Sequence, residues 1–231
     1  MQQWAVSVDI AQAPQIYLLE DVTGSGKTEA AMMLAYRMME QGLAEGFFIG
    51  MPTMATANAM YKRLVEVNQK LFPDMGGAAL IHAHNKLMEE FAAPILPVGV
   101  PEQDHAQIDE TASVRGSSWL ADNNKSALLI LAGIGTIDQA LLAVLHSKHQ
   151  SLRLLGLSNK VLIVDEVHAC DAYMQGVLEI LLEFHARAGK PAILLSATLP
   201  IRMKQALLTA YAKGCKHDSA LPLHSGAYPL A

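Results

Sequence analysis

The 231 residues carry a net charge of −5, are 52% hydrophobic and only 17% charged, and include two cysteines. That balance excludes a disordered chain, because there is ample apolar surface for a core. It also argues against a tight non-specific nucleic-acid binder, which is normally basic, while leaving open a groove built from backbone amides and hydroxyls. No apolar run reaches the roughly 18 residues that span a bilayer, so no membrane role is expected. The first ten residues lack the charged-then-apolar signal-peptide pattern. Cys170 and Cys215 have no metal-ligand spacing and read as reduced thiols of a cytoplasmic protein. The length suits one large α/β domain.

In chain order, residues 1–14 form a lead segment, with Pro14 just before the first strand, Ile16–Leu19. A loop, Glu20 to Thr28, leads into a helix running to about Gln41. Gly46–Met51 reads as a short buried strand, ended by Pro52. A helix from about Ala55 to Leu71 places Met60, Leu64, Val67 and Leu71 on one face. Ala78–Ile81 looks like a third strand. Residues 90–118 hold Pro, Gly and Asp without a clear period and read as a loop or insertion. A fourth strand is expected at Ser126–Leu131 and a helix from Thr136 to Leu145. Lys160–Val164 is the clearest strand, apolar on both faces. A helix from Tyr173 to Arg187, a strand Pro191–Leu195 and a helix from Ile201 to Lys213 follow. Strands apolar on both faces, alternating with helices, predict a parallel sheet covered on both sides.

Three motifs carry chemistry, and each follows a predicted strand. The first is Thr23-Gly24-Ser25-Gly26-Lys27-Thr28. Gly24 and Gly26 let successive N–H groups point into one concavity, and the following helix adds its positive end. Lys27 can reach the β- and γ-phosphates of ATP, and the Thr28 hydroxyl can ligate Mg²⁺. Asp21 stands where this loop usually begins with glycine. Its carboxylate either repels the phosphates or turns away to cap a neighbouring N–H. The second motif is Asp165-Glu166-Val167-His168. Strand ends are where ligands sit in open parallel sheets. Asp165 there suits Mg²⁺, and Glu166 suits activation of the attacking water. The third is Ser196-Ala197-Thr198, whose hydroxyls can bond the acidic motif or the γ-phosphate region. Read alone, the first motif is an ordinary βα turn, the second a solvated acidic turn and the third a common turn tripeptide.

Taken together and in this order, the motifs resemble the first RecA-like lobe of a superfamily 2 helicase, a DEVH-box member. The stretches Pro52–Met60, Gly135–Gln139, Val161–Ala169 and Ile193–Pro200 are similar to those of the helicase–nuclease family of type I CRISPR interference. The resemblance covers roughly residues 15–231. It implies a RecA-like P-loop NTPase fold over 15–215, with residues 216–231 as a tail towards a second lobe. It implies that Thr23 to Thr28 cradle ATP, that Thr28 and Asp165 hold Mg²⁺, and that Lys27, Asp165, Glu166 and His168 belong to the catalytic set. His168, Ser196 and Thr198 would couple nucleotide state to lobe movement. Pro52, Thr53, Thr56, Asn58, Thr136, Asp138 and Gln139 would contact single-stranded DNA. The plainer reading of Thr53 to Asn58 and of Thr136 is helix capping, with Gln139 simply exposed.

The resemblance also implies partners: a second helicase lobe, a nuclease domain and a CRISPR surveillance complex. This chain has no Gln-x-x-Gly-Arg-x-x-Arg pattern of a second lobe and no nuclease domain, so slow or absent hydrolysis is expected of it alone. His217-Asp218 lacks further metal ligands, and His82, His84, His105, His146 and His149 read as surface or satisfied histidines. Two other readings of the residues remain. One is a nucleotide-sensing interaction module without motor activity. The other is a P-loop small-molecule kinase, which would need a lid of arginines, whereas Arg115 and Arg153 are scattered.

Overall fold

Residues 1–60, 63, 132–146 and 150–216 are described by the structure, a computed structural model. Among the described residues, five parallel strands make one sheet: β1 (Ile16–Glu20), β2 (Gly46–Met51), β3 (Ala132–Thr136), β4 (Lys160–Val164) and β5 (Ala192–Ser196). Their order across the sheet is β1-β5-β4-β2-β3. The register pairs Leu18 with Leu194, Val164 with Leu194, Gly50 with Val164 and Gly50 with Gly135. All C-terminal strand ends therefore lie along one edge.

Side-chain alternation divides the core between the two faces. Ile49, Val161, Ile163, Ile193 and Leu195 point to one side, where α1 (Gln2–Ser7) and α2 (Lys27–Glu40) pack. Phe48, Leu162, Val164 and Leu194 point to the other. That face is covered by α3 (Ile137–Leu141), α4 (Gln150–Leu157), α5 (Ala172–Arg187) and α6 (Ile201–Gly214). Every residue of β2, β4 and β5 is buried, as expected of central strands covered twice. Each fully buried Leu or Ile contributes about 1.5–3 kcal/mol. Asp171 starts α5 by accepting the Met174 N–H at 2.8 Å, and His185 and Arg187 sit in its last turn.

The sheet with helices on both faces matches the sequence expectation, with local differences. The lead segment contains a helix, α1, whose Ala5 is fully buried against α2. The strand expected at 126–131 falls outside the described residues. On the side away from β4, β2 pairs with Ala132–Thr136, whose two glycines disguise its β character. The following helix ends at Leu141, and α4 appears where no element was expected. Residues 54–60 and 63 are helical, while the other residues of that expected helix, the strand at 78–81, the 90–118 segment and the tail from 217 onward lie outside the described residues.

Candidate functional site

The phosphate-type loop leaves β1 at Glu20 and enters α2 at Lys27. Gly24 has φ 83° and Gly26 has φ 85°, values open to glycine at little cost. A Cβ on Gly26 would meet the Gln2 side-chain nitrogen at 2.6 Å, so α1 closes over the loop from above. Lys27 is only 6% exposed. Its ammonium donates to the Asp21 carbonyl at 2.8 Å and to the Val22 carbonyl at 2.9 Å, folding it across the loop. The Asp21 carboxylate accepts the Val22 N–H at 2.8 Å. Of its two possible orientations, the structure contains the cap.

Across the strand ends, the Thr28 hydroxyl donates to Asp165 Oδ2 at 3.2 Å, bridging the first turn of α2 and the residue after β4, 137 positions apart. Asp165 is buried, and burial raises its carboxyl above the usual carboxylate range. Its other oxygen accepts the Glu166 N–H at 2.8 Å. That bond accompanies an unusual backbone, since Glu166 sits at φ 50°, ψ 48°, in the left-handed region. Such a conformation costs on the order of 1–3 kcal/mol for a non-glycine residue and is characteristic of working sites. A short 3₁₀ turn, Val167–Ala169, follows and carries His168.

His168 Nδ1 lies 2.9 Å from Ser196 Oγ and 3.3 Å from Glu166 Oε2. The Ser196 hydroxyl donates to the Thr198 carbonyl at 3.2 Å. With that proton committed, Nδ1 carries the hydrogen and donates to Ser196 Oγ. Thr198 thus enters the network through its backbone.

A cleft of about 710 Å³ joins the phosphate-type loop to Asp165 and Glu166 and is lined by Gln2, Thr23 to Glu29 and Arg63 as well, among others. Within it, Ser25 Oγ is buried without a hydrogen-bond partner, and Glu166 Oε2 is buried with the His168 Nδ1 contact of 3.3 Å beside it. An unpartnered hydroxyl of this kind costs free energy unless a ligand or water satisfies it. Gln2, Arg63 and Glu29 were not marked by the sequence reading, although Arg63 pairs with Glu29 at the rim. Gln2 lies more than twenty positions from the loop, and no local signal connects the two.

The candidate DNA contacts follow β2 and β3, on the far side of β4 from the phosphate loop. Thr53 caps the 54–60 helix, its Oγ1 accepting the Thr56 N–H at 3.2 Å, while the Thr56 hydroxyl donates to the Thr53 carbonyl at 2.8 Å. Pro52 is half-buried beside them. Thr136 stands at the N-cap of α3 but makes no side-chain cap bond. Asp138 is exposed. Gln139 is half-buried and presses against Gly135; its Oε1, like Asn58 Oδ1, is buried without a partner. The described residues contain no cluster of three potential metal-ligating side chains and no helix long and apolar enough to cross a membrane. Of the histidines weighed as metal ligands, only His146 lies among them.

A DEAD/DEAH box helicase family profile matches residues 3–206. The CRISPR-associated endonuclease/helicase Cas3 of Escherichia coli K12 is 41% identical over 231 residues, covering 99% of this chain and 25% of that protein. The crystal structure of T. fusca Cas3 with ATP superposes with a TM-score of 0.71 at 38% identity, over 88% of this chain and 21% of the other. A chain of a CRISPR RNA-guided surveillance complex in a pre-nicking state superposes with a TM-score of 0.61 at 33% identity, over 91% of this chain and 19% of that one. The chain thus spans about a quarter of the length of the curated relatives it matches. It belongs to the DEAD/DEAH box helicase family and is homologous to the first helicase lobe of the CRISPR-associated Cas3 helicase–nucleases.

Proposed function

We propose that this chain is the ATP- and Mg²⁺-binding motor lobe of an ATP-dependent single-stranded DNA helicase acting in type I CRISPR interference. The observation that carries the reading is the Thr28–Asp165 contact of 3.2 Å at the mouth of the phosphate loop, with Glu166 beside it. The fit to a nucleotide rests on the unpartnered Ser25 hydroxyl and the Lys27 ammonium, which line one cleft with the loop. The similar structures of T. fusca Cas3 with ATP, AMPPNP and ADP support the choice of nucleotide.

In this reading Thr23 to Thr28 hold the phosphates through backbone N–H groups and hydroxyls. Lys27 exchanges its two loop carbonyls for phosphate oxygens. Thr28 and Asp165 hold Mg²⁺, which when bound neutralises charge on the β- and γ-phosphates. Glu166 orients the attacking water and accepts its proton. His168, Ser196 and Thr198 sense the nucleotide state. Pro52, Thr53, Thr56, Asn58, Thr136, Asp138 and Gln139 face single-stranded DNA; the unpartnered Asn58 and Gln139 oxygens favour a polar ligand there. A second lobe completes hydrolysis, a nuclease domain completes the protein, and the surveillance complex delivers the DNA. Residues 15–215 form the lobe proper, with α1 docked on it.

Binding of a fluorescent ATP analogue to the 231-residue chain, with and without Mg²⁺, tests this. Lys27→Ala removes a charge-assisted contact of about 1.5–3 kcal/mol, so affinity should fall by roughly 10- to 100-fold. Asp165→Asn should abolish the gain from Mg²⁺, and Glu166→Gln should leave binding intact. Binding that ignores both Mg²⁺ and Lys27→Ala would refute the assignment.

A further inference from the structure

The most deeply buried carboxylate next to the site is not in any of the three motifs. Glu20, the last residue of β1, is 1% exposed and immediately precedes the phosphate loop. Both of its oxygens are used. Oε1 accepts the Leu199 N–H at 2.8 Å, and Oε2 pairs with the ammonium of Lys204, in the first turns of α6, whose side chain is 13% exposed. One residue further on, the Asp21 N–H donates to the Ser196 carbonyl at 3.3 Å. The Ser196 hydroxyl, in turn, is the partner of His168.

A buried ion pair is weak evidence for stability, because desolvating two charges offsets most of their attraction. Its better-attested use is to specify one arrangement over others. Here the two ends of the pair belong to the entrance of the phosphate loop and to the β5–α6 junction. An apolar pair of equal volume would fill the space, but it would not hold the Leu199 N–H or fix the relative position of the two loops.

We propose that Glu20, with Lys204, is a positioning residue that ties the entrance of the phosphate loop to the Ser196–Leu199 segment, so that a phosphate seated in the loop is felt at the Ser196–His168 contact. The inference rests on the nucleotide reading above. The loop cannot tighten on a phosphate without Glu20, and Glu20 cannot shift without drawing on the Leu199 amide and the start of α6.

Hydrogen–deuterium exchange of residues 196–204, with and without the Mg²⁺ complex of AMPPNP, tests it on the full 231-residue chain. The variant is Glu20→Met/Lys204→Met, an apolar pair of similar volume that removes both the acceptor for the Leu199 N–H and the ion pair and leaves no buried charge. In the unsubstituted chain, nucleotide should slow exchange across 196–204. In the double variant the melting temperature should stay within a few degrees while that slowing is lost, although the analogue still binds. Lys204→Arg with Glu20 in place, which keeps both ties, should retain the slowing. Equal slowing in the double variant, or none in the unsubstituted chain with nucleotide bound, would overturn the proposal. Failure of the unsubstituted chain to bind AMPPNP would instead overturn the nucleotide reading, and the titration that accompanies the exchange experiment separates the two.

Discussion

Asp21 breaks the glycine position of the phosphate loop, and replacing it with alanine gives a prediction whose sign the geometry decides. If the carboxylate faced the phosphates at about 8 Å, an effective dielectric near 20 would give roughly 2 kcal/mol of repulsion per charge pair, and Asp21→Ala would tighten binding. The carboxylate instead accepts the Val22 N–H at 2.8 Å, on the turn whose two carbonyls hold Lys27. Removing it loses one hydrogen bond, worth about 0.5–1.5 kcal/mol net, in the stretch of backbone that must be in place for a phosphate. Asp21→Ala should therefore weaken binding of an ATP analogue by roughly fivefold, about 1 kcal/mol. Asp21→Asn, which keeps the acceptor and removes the charge, should stay within about twofold of the parent. Titration calorimetry of the three proteins with Mg²⁺ and AMPPNP, at low and physiological salt, makes the comparison. A tighter Asp21→Ala variant whose advantage shrinks as salt rises would show that repulsion wins and that the cap is incidental.

Two further outcomes are expected. The 231-residue chain should hydrolyse ATP very slowly with or without single-stranded DNA. The reason is that an arginine supplied by a second lobe contributes roughly 10³–10⁵ in rate in related P-loop enzymes; a phosphate-release assay giving turnover on the order of 1 s⁻¹ would contradict it. Acid should also unfold the domain through His185, fully buried, donating from Nε2 to the Pro191 carbonyl at 3.1 Å and pushed down to about 4 by burial. The unfolded chain takes up that proton below about pH 6.5 and the folded one only below about 4. Stability therefore falls through that window, by about 3 kcal/mol in all. Urea unfolding at pH 7 and pH 4.5 measures the loss, and His185→Gln should flatten it; an unchanged pH dependence would exclude His185 as its source.

The strands apolar on both faces were legible because burial on two sides removes the need for polar residues, as in Lys160–Val164 and Gly46–Met51. Ala132–Thr136 was not legible, because its pairing with β2 tolerates two glycines that carry no β signal of their own. Gln2 at the loop and Glu20 beneath it were missed for a related reason. Their meaning lies in partners far along the chain, the Gly26 backbone for one, and Leu199 and Lys204 for the other.

From the sequence by itself came the class of fold, the three strand-end motifs and their common edge, since the local chemistry of each motif is complete within a few residues. Only the tertiary structure decided how they meet. The order β1-β5-β4-β2-β3 inserts β5 between the phosphate loop and the acidic motif, so Ser196 lies between Asp21 and His168, while the ends of β2 and β3 carry Thr53 and Thr136 away to the other side of Asp165. Strand order is set by how the helices cover both faces of the whole sheet. No stretch of sequence contains that information, because it is the joint burial of two apolar faces that selects it.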